Sequence, residues 1–141
     1  MKVLLSIKPE FAEKIFSGEK RFEYRRSLFR RVGVTTVVVY ATQPTGMIVG
    51  EFDISAVLEG DPAGIWEKTK QYSGISSDFF FQYFSGKRHG YAIKIGKVRK
   101  YHESIDPYTT DKSFVAPQSF KYLDETSKTK GPSCNHWLAL A

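Results

Sequence analysis

The sequence predicts an α+β chain: a small mixed β-barrel with flanking helices, one after the first strand and two in mid-chain. Three observations lead there. Apolar residues are 41% and aromatics 15% of the 141 residues, a composition that folds around a core. Short β-branched runs recur along the chain, the strongest at residues 34–41. Helical periodicity is confined to one early segment and two adjoining segments in the middle.

Residues 3–7 are a short apolar run and read as a strand. Pro9 suits the first turn of a helix, and Glu10 sits well against its dipole. Phe11, Ala12, Ile15 and Phe16 share one helical face, and Gly18 is the natural stop. Residues 22–26 alternate as a strand, with Phe22 and Tyr24 on one face and Arg21, Glu23 and Arg25 on the other. Strict alternation puts Lys20 opposite Glu23. If both serve one pocket, Lys20 must precede the strand or a bulge must intervene.

Residues 28–33 read as a basic connection and residues 34–41 as a central strand. Thr42-Gln43-Pro44-Thr45-Gly46 is a turn. Residues 47–58 form the next strand, where Gly50 signals a bulge or a close backbone approach. Asp61-Pro62 caps a helix through Ile65, Trp66 and Thr69 that ends before Gly74. Ser76 or Ser77 caps a second, with Phe79, Phe80, Tyr83 and Phe84 along it and Gly86 as its stop. That aromatic stripe fits core better than a base-stacking platform. Residues 91–95 are a strand continuing through Val98 to Tyr101, and Asp106-Pro107 is a turn. Residues 114–122 look extended, limited by Pro117 to an edge or a bend. Residues 124–141 read as a loosely held tail from which Trp137-Leu138 could dock back.

Charge organises the functional reading. Residues 20–31 hold six cations against one carboxylate, Glu23, a net of +5 in a chain whose formal net charge is +6. Such a cluster concentrates polyanions. Phe22, Tyr24 and Phe29 interleave with the charges, and unstacked bases dock on aromatic faces beside guanidinium groups. The plainer alternative is a solvated basic edge with its aromatics turned into the core. The single cysteine, Cys134, excludes an intramolecular disulfide, and His89, His102 and His136 lack ligand spacing, so no metal or cofactor is expected. No stretch approaches the roughly 20 apolar residues that span a bilayer, and the expected setting is cytoplasmic.

Lys20 can act as a base or nucleophile only if burial or neighbouring cations depress its pKa. The adjacent arginines push that way, while Glu23 pushes back. A lysine paired with a carboxylate stays charged, which suits anchoring a phosphate. Lys20, Glu23 and Arg25 could equally be a structural ion network. Thr42, Gln118 and Ser119 could read a base edge or satisfy local backbone. Asp53, Glu59 and Asp61 are the other acids to watch for acid–base work.

Several blocks together resemble a known family. Ser6-Ile7-Lys8-Pro9, then Ile15-Phe16-Ser17-Gly18-Glu19-Lys20 and Phe22-Glu23-Tyr24-Arg25, resemble the opening of ASCH domains in the PUA-like superfamily, where a short helix runs into a G-x-K-x-x-E-x-R signature. The similarity continues through Tyr40-Ala41-Thr42-Gln43-Pro44, Gly50-Glu51-Phe52, Gly74-Ile75-Ser76, Tyr83-Phe84-Ser85-Gly86, Tyr91-Ala92-Ile93 and Ala116-Pro117-Gln118-Ser119-Phe120. It covers residues 1–123, which marks these as the domain and 124–141 as the tail.

The resemblance implies a PUA-like barrel whose cleft, beside the first helix, receives RNA or a nucleoside. Some members resemble ribonucleases and others are acetylcytidine amidohydrolases. In the amidohydrolases the catalytic set is the lysine of G-x-K, a threonine on the next strand and a later glutamate. Lys20 matches the lysine, but Glu23 stands at the threonine position and Tyr72-Ser73-Gly74 where the glutamate is sought. These two departures tell against deacetylation by that route. The expected partner is therefore single-stranded RNA or a modified nucleoside, with no membrane and no metal. The expected contacts are Lys8, Lys20, Arg21, Glu23, Arg25, Arg26, Thr42, Gln118 and Ser119. The first expectation is a module that binds RNA or a nucleotide in a basic cleft beside the first helix; in the alternative, a hydrolase acting on RNA or a modified nucleoside, Lys20 and Glu23 would be the catalytic residues.

Overall fold

The computed structural model describes residues 1–123, so the expectations for residues 124–141 lie outside it. Six strands form one sheet: β1 (Lys2–Ile7), β2 (Phe22–Arg25), β3 (Thr36–Ala41), β4 (Met47–Gly60), β5 (Gly90–Ile105) and β6 (Phe120–Leu123). Their order is β2-β5-β4-β3-β1-β6, with β1 and β3 parallel and the other neighbours antiparallel. The parallel pair arises because the chain leaves β1 through helix α1 (Pro9–Ser17) and β2 before returning as β3. Helices α2 (Pro62–Thr69) and α3 (Ser77–Tyr83), joined by a 3₁₀ turn at Lys70–Tyr72, lie between β4 and β5 as expected.

Burial explains the sequence pattern. All six residues of β3 are buried, since the sheet is covered on both faces at its centre. On one face Val3, Leu5, Val37, Val39 and Phe52 pack with Ala12 and Ile15 of α1. On the other, Leu4, Val38, Tyr40 and Ile48 meet Phe114 and Leu123. A third cluster joins Phe22 and Tyr24 of β2 to Ile65, Phe80 and Phe84 of α2 and α3.

The sheet curls until its two edges meet through side chains. Arg25 on β2 donates from Nη2 to the Ser119 carbonyl at 2.8 Å, just before β6. Phe29, in the loop after β2, packs edge-on against Phe120 with ring centroids 5.9 Å apart. The Tyr122 hydroxyl accepts the Arg30 and Arg31 N–H groups at 2.7 and 3.0 Å. The mixed barrel-like sheet with flanking helices is therefore present, as a curled half-barrel.

Gly50 serves both purposes anticipated for it. The ladders shift register beside it, and a Cβ there would stand 2.6 Å from the Phe16 ring and 2.7 Å from the Arg99 carbonyl. Two boundaries differ from expectation by more than two residues. β5 runs on to Ile105, and of residues 114–122 only the last three join β6. Pro117 has no N–H for a ladder, and its carbonyl instead accepts the Ser6 hydroxyl at 2.6 Å. Asp106 caps a single helical turn, α4 (Pro107–Thr110), by accepting from the Tyr108 N–H. Among the described residues no helix is long and apolar enough to cross a membrane.

Candidate functional site

A cleft of about 460 Å³ opens between the end of β1, α1, β2 and α3, within the usual range for a small-ligand site. Its floor is set by how α1 ends. Gly18 takes the left-handed conformation, φ 88°, and its N–H closes onto the Ile15 carbonyl. The Lys20 N–H then bonds the Lys14 carbonyl at 2.9 Å, and the Arg21 N–H bonds the Tyr72 carbonyl at 2.9 Å. These two bonds fix Lys20 ahead of β2, which is how it reaches the same cleft as Glu23 despite the opposite parity.

Lys20 is 2% exposed. Its Nζ donates to the Ser73 carbonyl at 2.9 Å and lies 4.8 Å from the Tyr24 ring centre and 5.4 Å from that of Phe11. Burial lowers its pKa to about 8; Glu23 pulls back upward, and Lys14 adds to the lowering. The adjacent arginines expected to depress it are not among the causes: Arg21 and Arg26 are exposed and lie over Tyr72 and Tyr83, and Arg25 is engaged by Glu23 and Ser119. Nor is Lys20 ion-paired with Glu23: among the described residues its one hydrogen-bond acceptor is the Ser73 carbonyl.

Glu23 is instead held by Arg25, Nη1 to Oε2 at 3.2 Å. Its Oε1 has no partner among the described residues. Arg25 also bonds the Ser119 carbonyl and hydroxyl, so one guanidinium orients the acid and ties the two edges of the sheet. All four residues of β2 are buried. The Arg/Glu face is therefore a cleft wall, not a solvated edge.

The rim is aromatic and basic. Phe79 and Tyr83 of α3 line the cleft, whereas Phe80 and Phe84 of the same stripe go to the core. Phe11 meets Phe79 edge-on at 5.3 Å, with Lys8 Nζ 5.2 Å from the Phe79 ring centre. The Tyr24 hydroxyl donates to Thr69 Oγ1 at 2.7 Å, and burial pushes its pKa up to about 12. Burial also raises that of Tyr83, so neither phenol is a base near neutrality.

The structure thus brings Lys8, Lys20, Glu23, Arg25, Arg26, Gln118 and Ser119 to one cleft. Arg21 and Thr42 do not line it. Arg21 stacks on Tyr72, and Thr42 lies in the turn after β3, its N–H on the Ile7 carbonyl. The other acids have structural partners away from the cleft. Asp53 is bound by Arg99 at 2.7 Å, Glu59 by His89 at 2.9 Å, and Asp61 caps α2 through the Gly64 N–H. Arg99 also holds Glu51, which Lys2 and Tyr101 bond as well. These hydrogen bonds outweigh burial and keep the Glu51 carboxyl below the usual range.

Sequence reasoning passed over Ser73 and Gly74 as contacts of Lys20. At Gly74, φ +70°, a Cβ would lie 2.5 Å from Lys20 Cβ and 2.7 Å from its Cγ. The backbone just after the 3₁₀ turn comes this close because no side chain intervenes. Gly74→Ala is expected to cost about 1–3 kcal/mol of stability and to dislodge Lys20. Chemical denaturation measures the first effect, and loss of the depressed lysine pKa by NMR titration the second.

The ASCH domain profile matches residues 5–124. This chain belongs to the ASCH domain family. An ASCH domain-containing ribonuclease of Zymomonas mobilis subsp. mobilis is 29% identical over 133 residues, covering 89% of this chain and 87% of that protein. The crystal structure of ASCH from Zymomonas mobilis superposes with a TM-score of 0.81 at 25% identity, over 88% of each chain. The large ribosomal subunit protein uL22 of Ureaplasma parvum serovar 3 is 30% identical over 138 residues, 96% of this chain but 39% of that protein.

Proposed function

We propose that this ASCH domain binds RNA, seats one nucleotide in the cleft and cleaves the adjoining phosphodiester. The observation that carries this reading is a buried lysine, its pKa lowered to about 8, sharing a nucleotide-sized cleft with an oriented carboxylate. The likeness to a protein named as a ribonuclease, along most of both chains, supports the same class of substrate.

RNA carries its own nucleophile. The 2′-hydroxyl attacks the neighbouring phosphorus and the bond to the 5′-oxygen breaks, leaving a 2′,3′-cyclic phosphate and a 5′-hydroxyl. In this scheme Glu23 Oε1 takes the 2′ proton and the Lys20 ammonium gives one to the departing 5′-oxygen. Lys8 draws in the phosphates, and Phe11 and Phe79 offer ring surface to the base.

Binding without cleavage is the second reading. It is favoured by the fact that Lys20 and Glu23 already hold protein partners, the Ser73 carbonyl and Arg25. One assay separates the two: single-stranded RNA is titrated at several salt concentrations while its length is followed by chromatography. The expected result is affinity that falls with salt, together with cyclic-phosphate products. Binding with intact RNA supports the second reading, and no binding at low salt overturns both.

A further inference from the structure

The arginines of residues 20–31 do not stack on the aromatics interleaved with them. Phe22, Tyr24 and Phe29 are buried. Tyrosines from elsewhere in the chain take that role: Arg21 lies 4.5 Å over Tyr72, Arg26 lies 4.9 Å over Tyr83, and Arg31 lies 4.3 Å over Tyr122. In each pair the arginine is exposed, so its guanidinium rests over a ring while staying open to solvent.

One of these pairs lines the cleft, and a second is next along the chain to residues at its floor. Arg26 and Tyr83 stand at its rim. Arg21 and Tyr72 adjoin Lys20 and Ser73, the residues bonded at its floor. Arg21 and Arg26 flank the two ends of β2, about 17 Å of extended chain apart. The tyrosines hold the guanidinium groups in place before any ligand arrives, and Arg21 Nε also donates to the Gly18 carbonyl at 3.3 Å. Tyr72 is held because its own carbonyl takes the Arg21 N–H at 2.9 Å, and Tyr83 because its hydroxyl donates to the Tyr24 carbonyl at 3.2 Å. A preordered cationic plane with an open face is a stacking surface for an unpaired base next to a phosphate.

We infer that the Arg21/Tyr72 and Arg26/Tyr83 stacks are nucleobase subsites that receive the nucleotides on either side of the one seated in the cleft. The inference rests on the cleft being an RNA site. It adds that affinity for an oligomer depends on guanidinium planes outside the cleft floor, and on their shape as well as their charge.

The test is fluorescence anisotropy with a non-cleavable 2′-O-methyl RNA of about eight nucleotides. Wild type is compared with Arg21→Lys, Arg26→Lys, the double variant, and Lys112→Gln as a distant exposed control. Lysine keeps the charge and loses the plane. Each arginine variant is expected to bind about fivefold more weakly or worse, and the double variant to lose roughly the product. The slope of affinity against salt should stay near that of wild type. Arginine-to-lysine variants that bind like wild type overturn the subsites and leave the cleft reading intact. An equal loss in Lys112→Gln also overturns them, since the sensitivity would then not be confined to the two arginine–tyrosine pairs. Failure of the wild type to bind at low salt overturns both.

Discussion

Lys20→Met is expected to reduce RNA cleavage about 10²- to 10⁴-fold, the usual contribution of a positioned proton donor. The wild-type rate should fall as pH rises through about 8, where the ammonium gives up its proton, and that limb should vanish in the variant. Stability supplies a readout that does not depend on turnover. The folded pKa lies near 8 and the ordinary value is 10.5, so between them the unfolded chain binds more protons and folding becomes more favourable as pH rises. Below about pH 8 the buried charge costs up to about 3 kcal/mol. Lys20→Met removes that cost, less about 1 kcal/mol for the lost bond to Ser73. Its stability advantage over wild type should therefore be largest below pH 8 and shrink toward pH 10.5. Denaturant titrations at a series of pH values check this; an unchanged difference across that window would contradict it.

Arg25→Met is expected to destabilise the fold by about 3–5 kcal/mol. Glu23 is 6% exposed, and in this variant its carboxylate loses its one ion-pair partner among the described residues. The bonds from Arg25 to Ser119 go too, which loosens the contact between the two edges of the sheet. Much of the cost is the isolated charge, so Glu23→Gln on top of Arg25→Met should restore more than half of the loss. A double variant as unstable as the sum of the single ones would place the cost in the edge contact alone.

The fold was largely legible in the sequence, because periodicity and punctuation are local signals. Pro9 and Gly18 bound the first helix, Asp61 and Ser76 cap the next two, and the β-branched run ending at Ala41 lies in the middle of the sheet. The parallel pairing of β1 with β3 was not legible, since it depends on where the chain goes between them. The site was read in part. Charge density pointed to residues 20–31, and of the two ways Lys20 could share a pocket with Glu23, a place ahead of the strand or a bulge, the first is the one seen.

What local reading missed was contact at a distance. Ser73 is 53 residues from the lysine it holds, and Ser119 is 94 from Arg25. The stripe on α3 was assigned to the core as one unit, yet it divides between core and cleft because α3 packs at the boundary of the two. The interleaved aromatics were the wrong stacking partners for a similar reason. β2 is buried on both faces, so its rings turn inward and the arginines beyond its ends reach tyrosines of other elements.

The most direct test of the cleft as the RNA site is photocrosslinking of a 2′-O-methyl oligomer carrying 4-thiouridine, with the crosslinked peptides identified by mass spectrometry. Adducts are expected on Phe11, Phe79 or Tyr83, suppressed by excess unlabelled RNA and lowered by salt. Adducts confined to the outer surface of β4 and β5, around Lys97 and Lys100, with none on the cleft rings, would contradict it.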